Sequence, residues 1–226
     1  MRADSGLVTH VIPAHSGNFW QGRRGTAITD ITIHHAAGNI TVPNLGTMWQ
    51  RVGLQVSSHY GINGADIGQY VLEADTAFTN GNQASNLRSV TIEVANTVSG
   101  NEAGERAGWP VSDESLENLI RLVADIAIRN NLPPLQVGQN LTYHSMFRPT
   151  VCPGPFLMSR LQMIADRANA LIAEESDTGS GMLYGVVRQV IALSDRAKAE
   201  AFAAQLNANR EDPNLSFYHV IERPRT

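Results

Sequence analysis

Alternating and periodic apolar positions divide the chain into short strands interleaved with amphipathic helices. Ile31-Thr32-Ile33-His34 alternates with β-branched residues, which predicts a strand with His34 at its C-terminal end. Val56 to Ile62 and Ile67 to Leu72 read as two further strands. The intervening Asn63-Gly64-Ala65-Asp66 predicts a hairpin, since an Asn-Gly pair suits the tight turn. Ser89 to Ala95 is another strand and places Glu93 among apolar neighbours. Pro43 to Leu54 predicts a short helix carrying Leu45, Met48, Trp49 and Val52. A longer helix starts from Ser112 as N-cap, buries Leu116, Leu119, Ile120, Val123, Ile126 and Ala127, and stops at Asn130-Asn131-Leu132-Pro133-Pro134. A last periodic run, Phe156 to Ile172, closes this region near Ala173. Residues 1–25 read as irregular, with Gly22-Arg23-Arg24-Gly25 as a surface turn, and 96–111 read as a polar, glycine-containing loop.

Strands alternating with helices, plus one hairpin, predict an α/β domain: a mixed central β-sheet flanked by helices on both faces, over residues 1–173. Residues 174–182, beginning Glu174-Glu175-Ser176-Asp177-Thr178-Gly179-Ser180-Gly181, have linker composition. Residues 183–226 then read as a small βαβ unit: strand Leu183 to Leu193, helix Ser194 to Asn207, strand Leu215 to Ile221. A unit this short rarely folds unaided, so it is expected to pack on the main domain or to self-associate with another copy.

Composition narrows the class. With 42% hydrophobic and 17% charged residues the chain reads as an ordinary globular protein. A net charge of −4 argues against a nucleic-acid partner, which calls for a basic face. The single cysteine, Cys152, excludes an intramolecular disulfide. Met1 to Leu7 has no signal-peptide core and no run reaches membrane-spanning length, so the expectation is cytoplasmic synthesis without membrane insertion.

Three strand or loop ends carry metal-capable residues: His34, His144 and Cys152. Two histidines and a thiolate give zinc three ligands and leave a fourth position for water. Cys152 precedes Pro153, and proline favours the first helical position, so Cys152 is expected at or near an N-cap that stabilises a thiolate. On local pattern alone it is a metal ligand, a nucleophile or a small buried hydrophobe. Glu93 is either an exposed residue of an edge strand or a buried general base with a raised pKa.

The ordered motifs Ile33-His34-His35-Ala36-Ala37-Gly38, Val56-Ser57-Ser58-His59-Tyr60-Gly61-Ile62, Val90-Thr91-Ile92-Glu93 and His144 through Thr150-Val151-Cys152-Pro153-Gly154 resemble those of the zinc-dependent N-acetylmuramoyl-L-alanine amidases. That family includes amidase-type phage endolysins and the peptidoglycan recognition proteins, and the resemblance covers roughly residues 8 to 173. It implies Zn2+ held by His34, His144 and Cys152, with Glu93 as the catalytic glutamate. Thr150 falls where many members have lysine and is implied to stabilise the oxyanion. Strand alternation aims Ser58, rather than His59, at the site, and Thr79 is placed on the substrate side by its motif position. Thr79 stands in Phe78-Thr79-Asn80-Gly81, where relatives often carry Trp-His-Ala-Gly. His35 and His59 read as structural.

The implied reaction is hydrolysis of the amide between N-acetylmuramic acid and L-alanine in bacterial peptidoglycan, by an endolysin reaching the wall through holin-type release. The alternatives are a recognition module that binds without cutting, and a bacterial autolysin or recycling amidase. Retention of Cys152 favours the enzyme, because non-catalytic relatives typically lose that ligand. The helix start Ser194-Asp195-Arg196-Ala197-Lys198-Ala199-Glu200-Ala201 resembles a SPOR-type peptidoglycan-binding domain and equally fits a plain packing or dimerisation element.

Overall fold

Two parallel strands, β3 (Asp30–His35) and β7 (Ser89–Val94), sit at the centre of the fold and set the register of everything around them. In this computed structural model, which describes residues 1–177, they belong to a six-stranded sheet. Its other members are β1 (His10–Val11), β4 (Tyr60–Asn63), β5 (Asp66–Gln69) and β8 (Leu141–Tyr143), in the order β1-β5-β4-β7-β3-β8. Every neighbouring pair is parallel except the β4/β5 hairpin, so the sheet is mixed as expected. Gly64 turns that hairpin at φ +57°, a value that favours glycine. A separate antiparallel pair joins β2 (Phe19–Trp20) to β6 (Thr76–Ala77).

Strand alternation gives the sheet two chemically different faces. Ile31 and Ile33 of β3, Val90, Ile92 and Val94 of β7, and Leu141 of β8 share one buried apolar core. Helices α4 (Asp113–Arg129) and α6 (Leu161–Asp177) cover it with Leu119, Ile120, Val123, Ile126, Leu161, Ile164, Ala165 and Ala168. Burial of each such large side chain contributes roughly 1.5–3 kcal/mol. The opposite face presents Asp30, Thr32 and His34 from β3 beside Ser89, Thr91 and Glu93 from β7, paired one to one.

Part of that second face is closed by α1 (Val42–Trp49), whose Val42, Leu45 and Trp49 pack with Tyr70 in a smaller core. The close approach depends on Gly61 and Gly68, which lie opposite one another in the hairpin. A Cβ at Gly61 would stand 2.8 Å from the Tyr70 hydroxyl, and one at Gly68 would stand 2.5 Å from Val42 Cγ1. The remaining elements are α2 (Gln83–Arg88), α3 (Asn101–Ala107) and α5 (Gly154–Met158).

Several expectations need correction. The region 96–111 contains α3, which glycine content had hidden. Gly104 is there because Trp109 lies against it, and Gly108 ends the helix in the left-handed conformation at φ +72°. The turn at Gly22-Arg23-Arg24-Gly25 exists, but Arg23 points inward and is only 8% exposed. Its guanidinium donates to the carbonyls of Glu73, Leu87 and Ser89 and contacts His59 Nε2. The run after Cys152 is two helices, α5 and α6, and α6 continues through Glu174 and Glu175 to Asp177, four residues into the segment of linker composition. Glutamates are good helix formers, so composition alone did not end it. The first compact unit ends at Ile172, and the readings made for 183–226 lie outside the described residues. Among the described residues no helix is long and apolar enough to cross a membrane.

A buried ion pair ties α4 to the segment after β5. Glu73 accepts from Arg129 at 2.7 Å, from the Tyr60 hydroxyl at 2.6 Å and from Asn130 at 2.8 Å. Removing the carboxylate leaves the buried Arg129 with Asp125 as its one remaining ion-pair partner among the described residues, and strips the Tyr60 hydroxyl and the Asn130 amide of their acceptor. Glu73→Ala should therefore lower unfolding stability by about 3–5 kcal/mol in urea titrations. A loss below about 1 kcal/mol, the range of surface pairs, would mean that water readily replaces the carboxylate.

Candidate metal centre

His34 is the penultimate residue of β3 and belongs to the polar face. Its register partner on β7 is Glu93, and the two side chains meet with His34 Nδ1 at 4.0 Å from Glu93 Oε1. His144 follows β8 directly, in the 3-10 turn His144–Met146, and its ring lies 4.5 Å from that of His34. Cys152 enters from the loop before α5, with its sulfur 3.7 Å from His34 Nδ1 and accepting from the His35 backbone N–H at 3.4 Å. The ligand-capable atoms of His34, His144 and Cys152 all lie within 4.8 Å of one another. Strand ends and one loop thus bring together residues 118 positions apart in sequence.

The tautomer of His34 follows from its neighbour. Asn80 Nδ2 donates to Ser85 Oγ at 2.6 Å, which leaves Asn80 Oδ1 facing His34 Nε2 at 2.8 Å. An amide oxygen only accepts, so Nε2 carries the proton and Nδ1 presents its lone pair to the cluster. Burial, helped by the nearby His144, depresses the His34 pKa to about 3, so the ring stays neutral. Burial also lowers His144, with the charge of Arg148 the next cause.

Two polar atoms here are buried and have no partner: His144 Nε2 and Glu93 Oε2. Unsatisfied buried groups destabilise a fold by about 1–3 kcal/mol each, so a pair of them beside a cysteine requires an explanation. A divalent cation supplies one. Neutral imidazole nitrogens and a sulfur suit zinc, and coordination drives the proton off a thiol whose pKa would otherwise be high. Burial, with the charge of Glu93 next, pushes the Cys152 thiol up.

Cys152 stands next to the N-cap, Pro153, as expected, but α5 is only five residues long and burial rather than the helix end dominates the thiol.

Glu93, with 15% of its side chain exposed, has its pKa pushed up to about 8 by burial. It belongs to a central strand, paired on both sides. Thr150 is exposed, and its hydroxyl accepts from the Cys152 N–H at 3.2 Å, which leaves its own proton free to donate outward. Ser58 and Thr79 lie elsewhere than the substrate side expected of them. Both are buried, Ser58 bonding to the carbonyls of Tyr60 and Thr91, and Thr79 to the Ser57 carbonyl and Thr91 Oγ1. The alternation that aimed Ser58 at the cleft holds only within a strand, and β4 begins at Tyr60.

His35 is held by Asn96 at 3.0 Å and packs edge-on against Trp109, while His59 is buried against Arg23 and Thr91. Asn80 was missed from the sequence. Its only signal was its place beside Gly81 within the Phe78–Gly81 motif.

The sequence pattern of the N-acetylmuramoyl-L-alanine amidase family matches residues 24–155. Among solved structures, the fold is similar to that of PlyL, at 17% identity over 70% of this chain and 95% of that one, with a TM-score of 0.57. It is also similar to the Staphylococcus aureus hydrolase AmiA in complex with its ligand (13% identity, 78% and 94% covered, TM-score 0.59). A mutant endolysin from Bacillus subtilis is a third such structure (16% identity, 70% and 98% covered, TM-score 0.54). At these identities the likeness is one of fold. No curated protein sequence matches the chain.

Two outcomes follow from this geometry. Asn80→Ala should weaken zinc binding about 10–100-fold in competition with a chromophoric chelator, because the partner that orients His34 is gone. Unchanged affinity would show that His34 needs no such support. In metal-free protein, unfolded Glu93 ionises near 4.5 and the folded residue only near 8. Its contribution to stability is therefore full below about pH 4.5 and is lost as pH rises through about 8. Glu93→Gln escapes that loss, so urea titrations with chelator present should show the variant gaining on wild type between pH 5 and 8. A constant difference across that range would contradict the raised pKa.

Proposed function

Because the chain belongs to the N-acetylmuramoyl-L-alanine amidase family, we propose that it hydrolyses the amide between the lactyl group of N-acetylmuramic acid and L-alanine in bacterial peptidoglycan, with Zn2+ held by His34, His144 and Cys152. The observation that carries this reading is the cluster of His34, His144 and Cys152 ligand atoms within 4.8 Å of one another, with His144 Nε2 unpartnered and Glu93 Oε1 at 4.0 Å from His34 Nδ1. When bound there, zinc would acidify a water molecule and polarise the scissile carbonyl.

The chain's own residues supply the rest. Glu93, on the floor of the site beside His34, takes a proton from the attacking water and returns it to the departing amine. Its raised pKa suits both steps, since a base and acid near neutral pH can do either. Thr150 donates its free O–H toward the carbonyl oxygen as charge develops there. A hydroxyl brings no charge, so its part is smaller than that of the lysine many members carry. Asn80 keeps the His34 ring in one tautomer and orientation, so the site needs no rearrangement during the reaction. A module that only holds its ligand has no use for an unpaired buried carboxylate. An endolysin-like role, with action on the wall after holin-type release, is consistent with this chemistry.

Mass spectrometry of fragments released from purified peptidoglycan tests the reading. Zinc-loaded protein should free stem peptides that begin with L-alanine and leave glycan strands intact. Cys152→Ser should abolish release together with zinc uptake. Glu93→Gln should retain zinc and lose roughly 10²–10⁴-fold in kcat. Shortened glycans would mean that a glycosidic bond is cut. Tight binding without products would mean recognition without catalysis.

A further inference from the structure

The loop that runs from His144 to Cys152 contains one cation, Arg148, which the chemistry above does not use. Its side chain crosses the backbone of Gly81, next to the asparagine that holds His34. A Cβ at position 81 would stand 2.7 Å from Arg148 Cδ and 2.8 Å from its Nη1. Gly81 also has φ +61°, so glycine there serves both the turn and the passage of the arginine. Arg148 is exposed, and among the described residues it makes no ion pair. Another cation that reaches this loop, Arg88, is committed to Asp30 at 2.9 Å while lying over the Phe147 ring. In a chain of net charge −4, an uncommitted guanidinium held at the rim of the metal centre runs against the trend.

We infer that Arg148 is a substrate-specificity residue that binds a carboxylate of the peptide on the leaving side of the scissile amide. The inference rests on the muramoyl-peptide reading above. The N-acetylated sugars of that substrate are neutral, so the anions lie in its peptide. A planar guanidinium accommodates a carboxylate with two parallel N–H donors, which an ammonium cannot reproduce. The position of Arg148, over Gly81 and beside His144, puts that contact at one edge of the site and directs the peptide across it.

The test compares the zinc-loaded full chain with Arg148→Gln and Arg148→Lys on a soluble muramoyl-peptide in two forms, with free carboxylates and with the carboxylates amidated. For the free form Arg148→Gln should raise KM on the order of tenfold, the worth of one charge-assisted contact, while kcat holds. The wild-type preference for the free form over the amidated one should shrink toward unity in Arg148→Gln and lie between the two in Arg148→Lys. A fall in kcat with KM held, or equal losses on both forms, would overturn the inference. Thermal melts and zinc content should match wild type, and a collapse of either would assign Arg148 to the scaffold instead.

Calorimetric binding of both peptides to Glu93→Gln, with and without Arg148→Gln, separates this inference from the amidase reading. Carboxylate-dependent binding without cleavage by wild type would sink the amidase reading alone. Cleavage without that dependence would sink the role of Arg148 alone.

Discussion

The pairing of β3 with β7 in one register is the constraint on which the site depends. That register puts His34 next to Glu93, Thr32 next to Thr91 and Asp30 next to Ser89, all on the face turned away from the α4/α6 core. A slip of one residue would send His34 into the apolar core and bring Ile33 out in its place. The hydrophobic core is therefore what fixes the position of the polar face. Ile31, Ile33, Val90, Ile92 and Val94 gain their burial only in the arrangement that also sets a histidine beside a carboxylate.

The polar face is stabilised by a dense set of internal hydrogen bonds. Thr32 and Thr142 meet at 2.8 Å, Ser89 donates to Asp30 at 2.8 Å, and Thr91 connects Ser58, His59 and Thr79. Within it Asn80 bonds to His34, Ser85 and, through its backbone N–H, Asn86. These groups are satisfied by the protein itself. The atoms left over at one end, His144 Nε2 and Glu93 Oε2, stand beside the one cysteine. Along this polar face the contrast separates side chains that satisfy one another from a centre whose donors and acceptors are left open.

The sequence revealed most of this architecture because its strands alternate cleanly. Ile31 to His34 and Ser89 to Val94 are legible as strands from pattern alone, and ordered motifs single out His34, Glu93, His144 and Cys152, which the fold brings to one end of the polar face. The helix Asn101–Ala107 is obscured because its one glycine, Gly104, is there for packing against Trp109, a tertiary reason that no local pattern carries. Arg23 was read as a surface turn residue because its acceptors are backbone carbonyls as far away as residue 89. The roles of Asn80 and Arg148 come from the path of the Phe78–Gly81 segment beneath the His144–Cys152 loop, which only the folded chain shows. The hydroxyls of Ser58 and Thr79 turn inward because Ser58 precedes β4, outside the reach of strand alternation, and motif position alone carries no orientation for Thr79.

X-ray diffraction from crystals of the zinc-loaded protein, with anomalous data at the zinc edge, is the most direct test of the central claim. One zinc should be bound by His34 Nδ1, His144 Nε2 and Cys152 Sγ, at about 2.0–2.1 Å from nitrogen and about 2.3 Å from sulfur, with a fourth position open beside Glu93. Zinc ligated through His34 Nε2, or bound away from these three residues, would contradict it.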